Sequence, residues 1–171
     1  MVYLQSLDSP EDRAKLEQLY RSWRGLMLHA ANDILHDWQD AEDAVHNAFL
    51  AIAGNLEKIA APEDRRAKLF VLTVVQHKAI DLYRMKQRRP AGELPEELTG
   101  PPVEYHGENG LTRCLLKLPL RYRSFLLLKY DLGFTNRELS RILGLSAPAV
   151  RKLDQRARDR LEALCREEGV L

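Results

Sequence analysis

Apolar residues recur at intervals of three and four along most of the chain, which is the spacing of amphipathic helices. The first helix is predicted to begin after Ser9, because Ser9 suits an N-cap, Pro10 suits the first turn and an acid follows at Asp12. The predicted apolar face of this helix comprises Leu16, Leu19, Trp23, Leu26, Ala30 and Ile34.

Two further helices are predicted before residue 90. One begins around Asp40, and its apolar face comprises Ala41, Ala44, Val45, Ala48, Phe49, Ile52 and Leu56. Pro62 interrupts the pattern, and the next helix is predicted from near Asp64 to Arg88. The sequence has no alternating run long enough for a strand, so the predicted fold class is all-α.

Residues 90–110 break the helical pattern and predict a linker. This segment contains four prolines and four glycines, and it carries five glutamates with no lysine or arginine. We therefore predict two small helical domains, residues 1–89 and 111–171, joined by a flexible acidic linker at 90–110. Two short helices, at 111–118 and about 121–131, are predicted at the start of the second domain, with Pro119 between them.

The second domain contains a helix-turn-helix pattern. Thr135 and Glu138 form a capping-box signature, Gly144 suits the turn, and Ser146 suits the N-cap of a second helix. The apolar positions that would join the two helices are Leu139, Leu143, Leu145, Val150 and Leu153. The outward positions of the second helix are Ala147, Arg151, Lys152, Gln155 and Arg156. The arginines and the lysine among them can donate to guanine edges or phosphates, and the glutamine can pair with adenine. The alternative is an ordinary helical hairpin with a solvated basic face.

Charge is distributed in blocks along the 171 residues, although the net charge is only +1. Residues 1–89 are neutral overall, 90–110 carry −5 and 111–171 carry +6. Within the first block, residues 25–57 have six acids and no lysine or arginine, whereas 65–89 have eight basic residues and one acid. Such alternation predicts more than one kind of partner, with nucleic acid a candidate for the basic segments.

Several classes of protein are disfavoured by the sequence. No apolar run approaches the length of a membrane span, and the start resembles no secretory signal, so a cytoplasmic protein is expected. The cysteines, Cys114 and Cys165, lack metal-ligand spacing, and the five histidines are scattered, so no metal or cofactor is expected. The absence of a phosphate loop, a zinc-protease motif and a nucleophile elbow argues against an enzyme.

The motifs together resemble the extracytoplasmic-function subfamily of bacterial sigma-70 factors. The acidic run Asp40-Ala41-Glu42-Asp43 and the later Asp81-x-x-Arg84 resemble region 2, and Leu118-Pro119 with the helix-turn-helix resembles region 4. The recognition helix departs from the family pattern at Leu153 and Asp154, so we predict no promoter sequence.

The resemblance implies three sets of contact residues. The set facing core RNA polymerase is Asp40, Glu42, Asp43, His46 and Phe49. The set facing melted DNA at the −10 element is Arg65, Arg66, Lys68, His77, Lys78, Arg84 and Arg88. The set facing duplex DNA at the −35 element is Arg123, Ser146, Arg151, Lys152, Gln155 and Arg156.

The implied partners are bacterial core RNA polymerase, promoter DNA and an anti-sigma factor, with the protein itself a monomer. One rival hypothesis is a helix-turn-helix regulator that binds a palindrome as a dimer without polymerase. The eight basic residues at 65–89 argue against it, because a sensing or dimerisation domain does not need them. Another rival, a sigma mimic that binds polymerase without reading DNA, is disfavoured by the basic recognition helix.

Overall fold

The computed structural model describes residues 7–87 and 109–171, so most of the predicted linker and Arg88 lie outside the described residues. The described residues form seven α-helices and no β-strand, which confirms the all-α prediction. The helices are α1 (Pro10–Leu35), α2 (Trp38–Ala53), α3 (Arg65–Lys86), α4 (Gly110–Lys117), α5 (Leu120–Leu126), α6 (Asn136–Leu143) and α7 (Ala147–Glu167).

Helices α1, α2 and α3 pack against one another as a bundle. Each begins at a side-chain cap: Ser9 accepts from the Asp12 amide, Asp37 from Asp40, and Asp64 from Ala67. Such caps satisfy amides that have no partner within the helix, at a typical value of about 1 kcal/mol each. The Asp37 cap starts α2 two residues before the predicted Asp40.

Helices α1 and α2 differ from the sequence prediction at one face position and at their ends. Leu26, predicted on the apolar face of α1, is exposed. Helix α2 ends at Ala53, and Leu56 is buried from a separate 3-10 turn, Leu56–Lys58, rather than from α2 itself. His36 ends α1 in the left-handed conformation, with φ of 52°, and its amide donates to the Asn32 carbonyl.

Helices α4 to α7 form the second helical unit. Helix α5 begins at Leu120 and, after Leu126, continues as a π-helical turn over Leu127–Asp131 instead of the predicted uniform helix. The helix-turn-helix matches its prediction: Thr135 and Glu138 form a capping box, and the side chain of Ser146 caps α7. Gly144 has φ of 65°, a conformation in which a side chain would be strained, so glycine suits the turn.

The two helical units pack together through α3, which contacts both α5 and α6. The rings of Phe70 on α3 and Phe134 before α6 stack with centroids 5.1 Å apart. Both side chains are buried, and the hydrophobic core runs continuously from one unit into the other. Burying one such ring contributes roughly 1.5–3 kcal/mol, so this contact is a principal part of the junction.

The two cysteines lie side by side although 50 positions separate them in the chain. Cys114 on α4 and Cys165 on α7 are buried free thiols. Burial and the neighbouring Cys114 sulfur raise the pKa of the Cys165 thiol. A raised pKa leaves little thiolate at neutral pH, so Cys165 acts as a packing residue rather than as a nucleophile.

Candidate polymerase and nucleic-acid interfaces

The acidic residues of α2 form a surface beside α1. Glu42 and Asp43 are exposed, and Glu42 Oε1 lies 3.6 Å from Arg24 Nη2. A groove of about 390 Å³ separates the two helices at this point, and its lining residues are Tyr20, Arg24, Leu28, Glu42, Asp43, Val45 and His46. The lining therefore combines apolar and charged side chains, as protein interfaces do.

Two of the predicted polymerase-facing residues are engaged inside the protein. Asp40 is half-buried and forms an ion pair with Lys86 of α3. Phe49 is fully buried, with its ring 5.1 Å from that of Tyr20. In this arrangement Phe49 supports α2 from inside the bundle, and its direct contact with polymerase stays a prediction. Tyr20 and Leu28 are groove residues that the sequence analysis missed, since α1 carried no motif.

The predicted −10 residues at the start of α3 are accessible. Arg65 and Arg66 are exposed and Lys68 is half-buried. Arg66 Nη2 lies 3.4 Å from the Asp131 carbonyl in the second unit. The start of α3 therefore presents a basic surface while remaining close to the second helical unit.

The later residues of the −10 set face the second helical unit. His77 is only 2% exposed, and Lys78 Nζ donates to the Ile142 carbonyl of α6 at 2.6 Å. Arg84 is half-buried, and its Nε has no hydrogen-bond partner within residues 7–87 and 109–171. In this arrangement α5 and α6 cover the face of α3 to which the sequence analysis assigned melted DNA. Direct DNA contact by His77 is therefore incompatible with the observed packing.

His77 is held neutral by its surroundings. Burial is the main cause, and the charges of Arg121 and Lys78 add to it, so that the pKa of the imidazole falls to about 3. Its Nε2 also has no hydrogen-bond partner in the described part of the chain. Protonation of this ring would place a third positive charge beside Arg121 and Lys78.

We expect His77 to make stability fall with acidification. Between pH 6.5 and 3 the unfolded chain takes up a proton at this ring and the folded protein does not. Stability should therefore decrease as pH falls through this window, by at most about 1.4 kcal/mol per pH unit from this ring. Urea unfolding of His77→Gln from pH 7.5 to 4.5 should show a shallower pH dependence. His29→Gln, at an exposed site, is the control, and equal slopes for wild type and His77→Gln would contradict the assignment.

The predicted −35 surface lies on the outer face of α7. Arg151, Lys152, Gln155 and Arg156 are exposed, as the sequence predicted. Gln155 Nε2 donates to Asp159 at 2.7 Å, and its Oε1 accepts from Arg158 at 3.1 Å. Ser146 serves as the N-cap of α7, which leaves its backbone at the exposed start of the helix.

Arg123 does not belong to this surface. It is 3% exposed, and its Nη1 donates to the Leu116 carbonyl at 3.2 Å. The contact of Arg123 with the DNA backbone stays a prediction, and in this arrangement its side chain is not accessible for it. A guanidinium buried against a carbonyl joins α5 to the end of α4, and sequence spacing alone did not distinguish it from a surface arginine.

Asp154 has a structural role that explains its departure from the family pattern. Its carboxylate receives hydrogen bonds from Lys129 and Tyr130, at 2.5 and 3.0 Å, and Arg158 Nε lies 3.3 Å away. Burial raises the pKa of Asp154, but these bonds and charges outweigh it, so the net direction is downward. The carboxylate therefore ties α7 to the π-helical turn, while Leu153 packs in the core.

Models of two known protein families match the chain. The model of Sigma-70 region 2 matches residues 19–89, and that of Sigma-70 region 4 matches residues 109–161. Together the two matches cover more than two thirds of the chain, in the order that the motifs predicted.

Curated relatives are similar over most of the chain. It is 28% identical to the RNA polymerase sigma-E factor of Streptomyces coelicolor over 160 residues, which is 91% of this chain and 86% of that protein. It is 30% identical to the ECF RNA polymerase sigma factor ShbA of Streptomyces griseus subsp. griseus over 115 residues, 60% of each. A solved structure of the Bartonella quintana sigma factor RpoE with the anti-sigma factor NepR has a TM-score of 0.41 at 18% identity, covering 88% of this chain and 96% of that one.

The chain belongs to the extracytoplasmic-function subfamily of the sigma-70 family. It is thus a sigma factor, a protein that directs RNA polymerase to promoters, and the hypothesis of a dimeric operator-binding regulator is not favoured. Within residues 7–87 and 109–171, none of the helices combines the length and hydropathy needed to cross a bilayer.

Proposed function

We propose that this sigma factor binds its partners through three separate surfaces. The α1–α2 groove binds core polymerase, the basic start of α3 holds melted DNA at the −10 element, and α7 reads the −35 element. The observation that supports this division most strongly is the separation of charge. Glu42 and Asp43 lie on one unit, and Arg151, Lys152 and Arg156 lie on the outer face of the other.

The charges suit these partners. An acidic groove with an apolar floor steers a basic polymerase surface and then holds it by apolar contact. The arginines and lysine of α7 can donate to phosphates or to guanine in the major groove. At the −10 element, unstacking a base costs a few kcal/mol, and each captured base returns roughly 1–3 kcal/mol. No ATP is required for such a balance.

The domain arrangement requires one further step in this proposal. Lys78 and the buried face of α3 are engaged by α6, so they are accessible to DNA only when the two units separate. We propose that binding to polymerase and promoter favours a separated arrangement, in which the acidic linker predicted at 90–110 spans the two elements. The domain boundaries 1–89 and 111–171 are part of this proposal.

The remaining partners follow from membership of the family. We propose a monomeric cytoplasmic protein without a cofactor or enzymatic activity, held inactive by an anti-sigma factor until a stimulus releases it. The same groove and the covered face of α3 are the surfaces that such an inhibitor would need to keep from polymerase and DNA.

The test is run-off transcription with purified bacterial core polymerase on fragments of the source genome, with and without this protein. The proposal expects new transcripts that depend on the protein, and their start sites define the −10 and −35 sequences. The proposal would be contradicted if the protein bound DNA but neither bound core polymerase nor initiated transcription. The dimeric regulator would then be the better hypothesis.

We expect Arg151→Ala to reduce promoter selectivity. Loss of a base contact costs roughly 1–3 kcal/mol, so holoenzyme affinity for a promoter defined by run-off should fall about 5- to 150-fold. Affinity for a promoter with an altered −35 element should change much less. Competition binding measures both. Arg160→Ala, exposed on the same helix, is the control; an equal loss on both DNAs would reassign Arg151 to a phosphate contact.

A further inference from the structure

A basic cleft lies where the two helical units meet, on the side of α7. Its volume is about 320 Å³, and its lining residues are Arg84, Arg121, Tyr122, Leu145, Ala149, Lys152, Leu153 and Arg156. Arg84 comes from α3, whereas the other three cations come from α5 and α7. The cleft therefore exists only while the two units are packed together.

The charges in this cleft lack a matching counterion. None of the described residues that line it is acidic. Arg121 is only 9% exposed, and its Nε, like that of Arg84, has no hydrogen-bond partner in the described part of the chain. Burial is the main influence on the pKa of Arg121 and lowers it, Asp81 opposes this, and the nearby Arg156 lowers it further. Asp81, whose charge acts on Arg121, does not line the cleft.

Four cations at one place repel one another, and a buried guanidinium with an unpaired N–H is costly. An anion with several oxygens would satisfy both requirements, because guanidinium groups bind phosphate oxygens with paired, parallel hydrogen bonds. Its volume is at the small end of the range for ligand sites, and its lining residues come from three packed helices. This volume suits a small anion.

We propose that the cleft between α3, α5 and α7 binds a small anion with two or more phosphate groups, and that the bound anion holds the two helical units together. The coupling follows because Arg84 and the other three cations meet the ligand only in the packed arrangement. By linkage, a ligand that binds this arrangement must oppose promoter binding. This consequence for promoters rests on the proposed function, whereas binding of the anion does not.

The first test is calorimetric titration of the full-length protein with pyrophosphate, at an ionic strength held constant with sodium chloride. We expect saturable binding of one pyrophosphate per chain, weakened at least tenfold in Arg84→Gln and in Arg121→Gln. Arg160→Gln, on α7 but outside the cleft, should bind as the wild type does. Arg84→Gln is the decisive variant, because Arg84 is less buried than Arg121 and its loss is less disruptive to folding.

Two outcomes would overturn the proposal. One is the absence of saturable binding, and the other is equal affinity of Arg84→Gln and wild type, which would place the anion on α5 and α7 without α3. A parallel titration with a short duplex of random sequence distinguishes the source of the phosphates. If duplex binding depends on Arg84 as pyrophosphate binding does, the cleft accepts the DNA backbone and the small-anion proposal fails.

The regulatory consequence has a separate measurement. With holoenzyme and a promoter found by run-off transcription, pyrophosphate added before core polymerase should lower the yield of promoter complex for wild type and much less for Arg84→Gln. An equal effect on both would show that pyrophosphate acts elsewhere, on polymerase for example, and would overturn the coupling. The calorimetric result stands whether or not the protein initiates transcription, so the two failures are distinguishable.

Discussion

Reversing the two exposed acids of α2, in Glu42→Lys/Asp43→Lys, is expected to reduce promoter-dependent transcription by at least 100-fold. Both side chains are exposed at the α1–α2 groove. Against a basic polymerase surface, each reversal replaces attraction with repulsion, and like-charge contacts at an interface cost several kcal/mol. Every 1.4 kcal/mol is tenfold in affinity, so two reversals suffice for this loss.

The measurements are the affinity for core polymerase, by fluorescence anisotropy, and run-off yield. Glu162→Lys/Glu167→Lys is the matched control, because it makes the same change in net charge at exposed positions beyond the region 4 match. Circular dichroism and thermal unfolding show whether α2 is intact, since Glu42→Lys also loses the Arg24 pair. Equal loss in both double variants would indicate a nonspecific charge effect and contradict the α2 assignment.

Truncating Phe134 is expected to separate the two helical units. Phe134→Ala removes the stack on Phe70 and the cation–π contact with Lys58 Nζ, which lies 5.6 Å from the ring centroid. Truncation of a buried phenylalanine costs about 3–5 kcal/mol. If about half of this cost falls on the junction, the ratio of separated to packed molecules rises roughly 10- to 100-fold.

Small-angle scattering should then show a larger radius of gyration for Phe134→Ala than for wild type. Binding of the free protein to promoter DNA should strengthen, because the covered face of α3 becomes accessible. Phe70→Ala removes the other ring of the same stack. The radius of gyration of the double variant should therefore be close to that of either single variant. Leu111→Ala, an exposed apolar truncation on α4, is the control. An unchanged radius in both phenylalanine variants would contradict this role for the stack.

Lys58 provides a second, weaker link at the same junction. Its Nζ lies 3.2 Å from Glu138 Oε1, and Glu138 is itself the acid of the capping box on α6. The hydrogen bond from the Thr135 amide is the main cause that lowers the pKa of Glu138, and Lys58 adds to it. A partly exposed ion pair contributes little, so the stacked rings rather than this pair should dominate the junction.

Most of the local structure was predictable from the sequence. Ser9, Thr135, Glu138 and Ser146 act at helix starts because their side chains reach amides three positions away. Such contacts depend on neighbouring residues alone. The outward face of α7 was predictable for the same reason, since helical periodicity places Arg151, Lys152 and Arg156 opposite the apolar stripe. The two Sigma-70 regions were likewise predictable, because their motifs are contiguous in the sequence.

Only the tertiary structure decided which polar residues are buried. His77 and Arg121 are covered because α5 and α6 lie on α3, and Arg123 is buried against the end of α4. Asp154 and the pair Cys114–Cys165 likewise gain their partners from helices distant in sequence. Periodicity reports which face of a helix is apolar, but not which other helix packs on its polar face. Contacts between distant segments therefore determine the covered face of α3 and the basic cleft, and these contacts leave no local pattern in the chain.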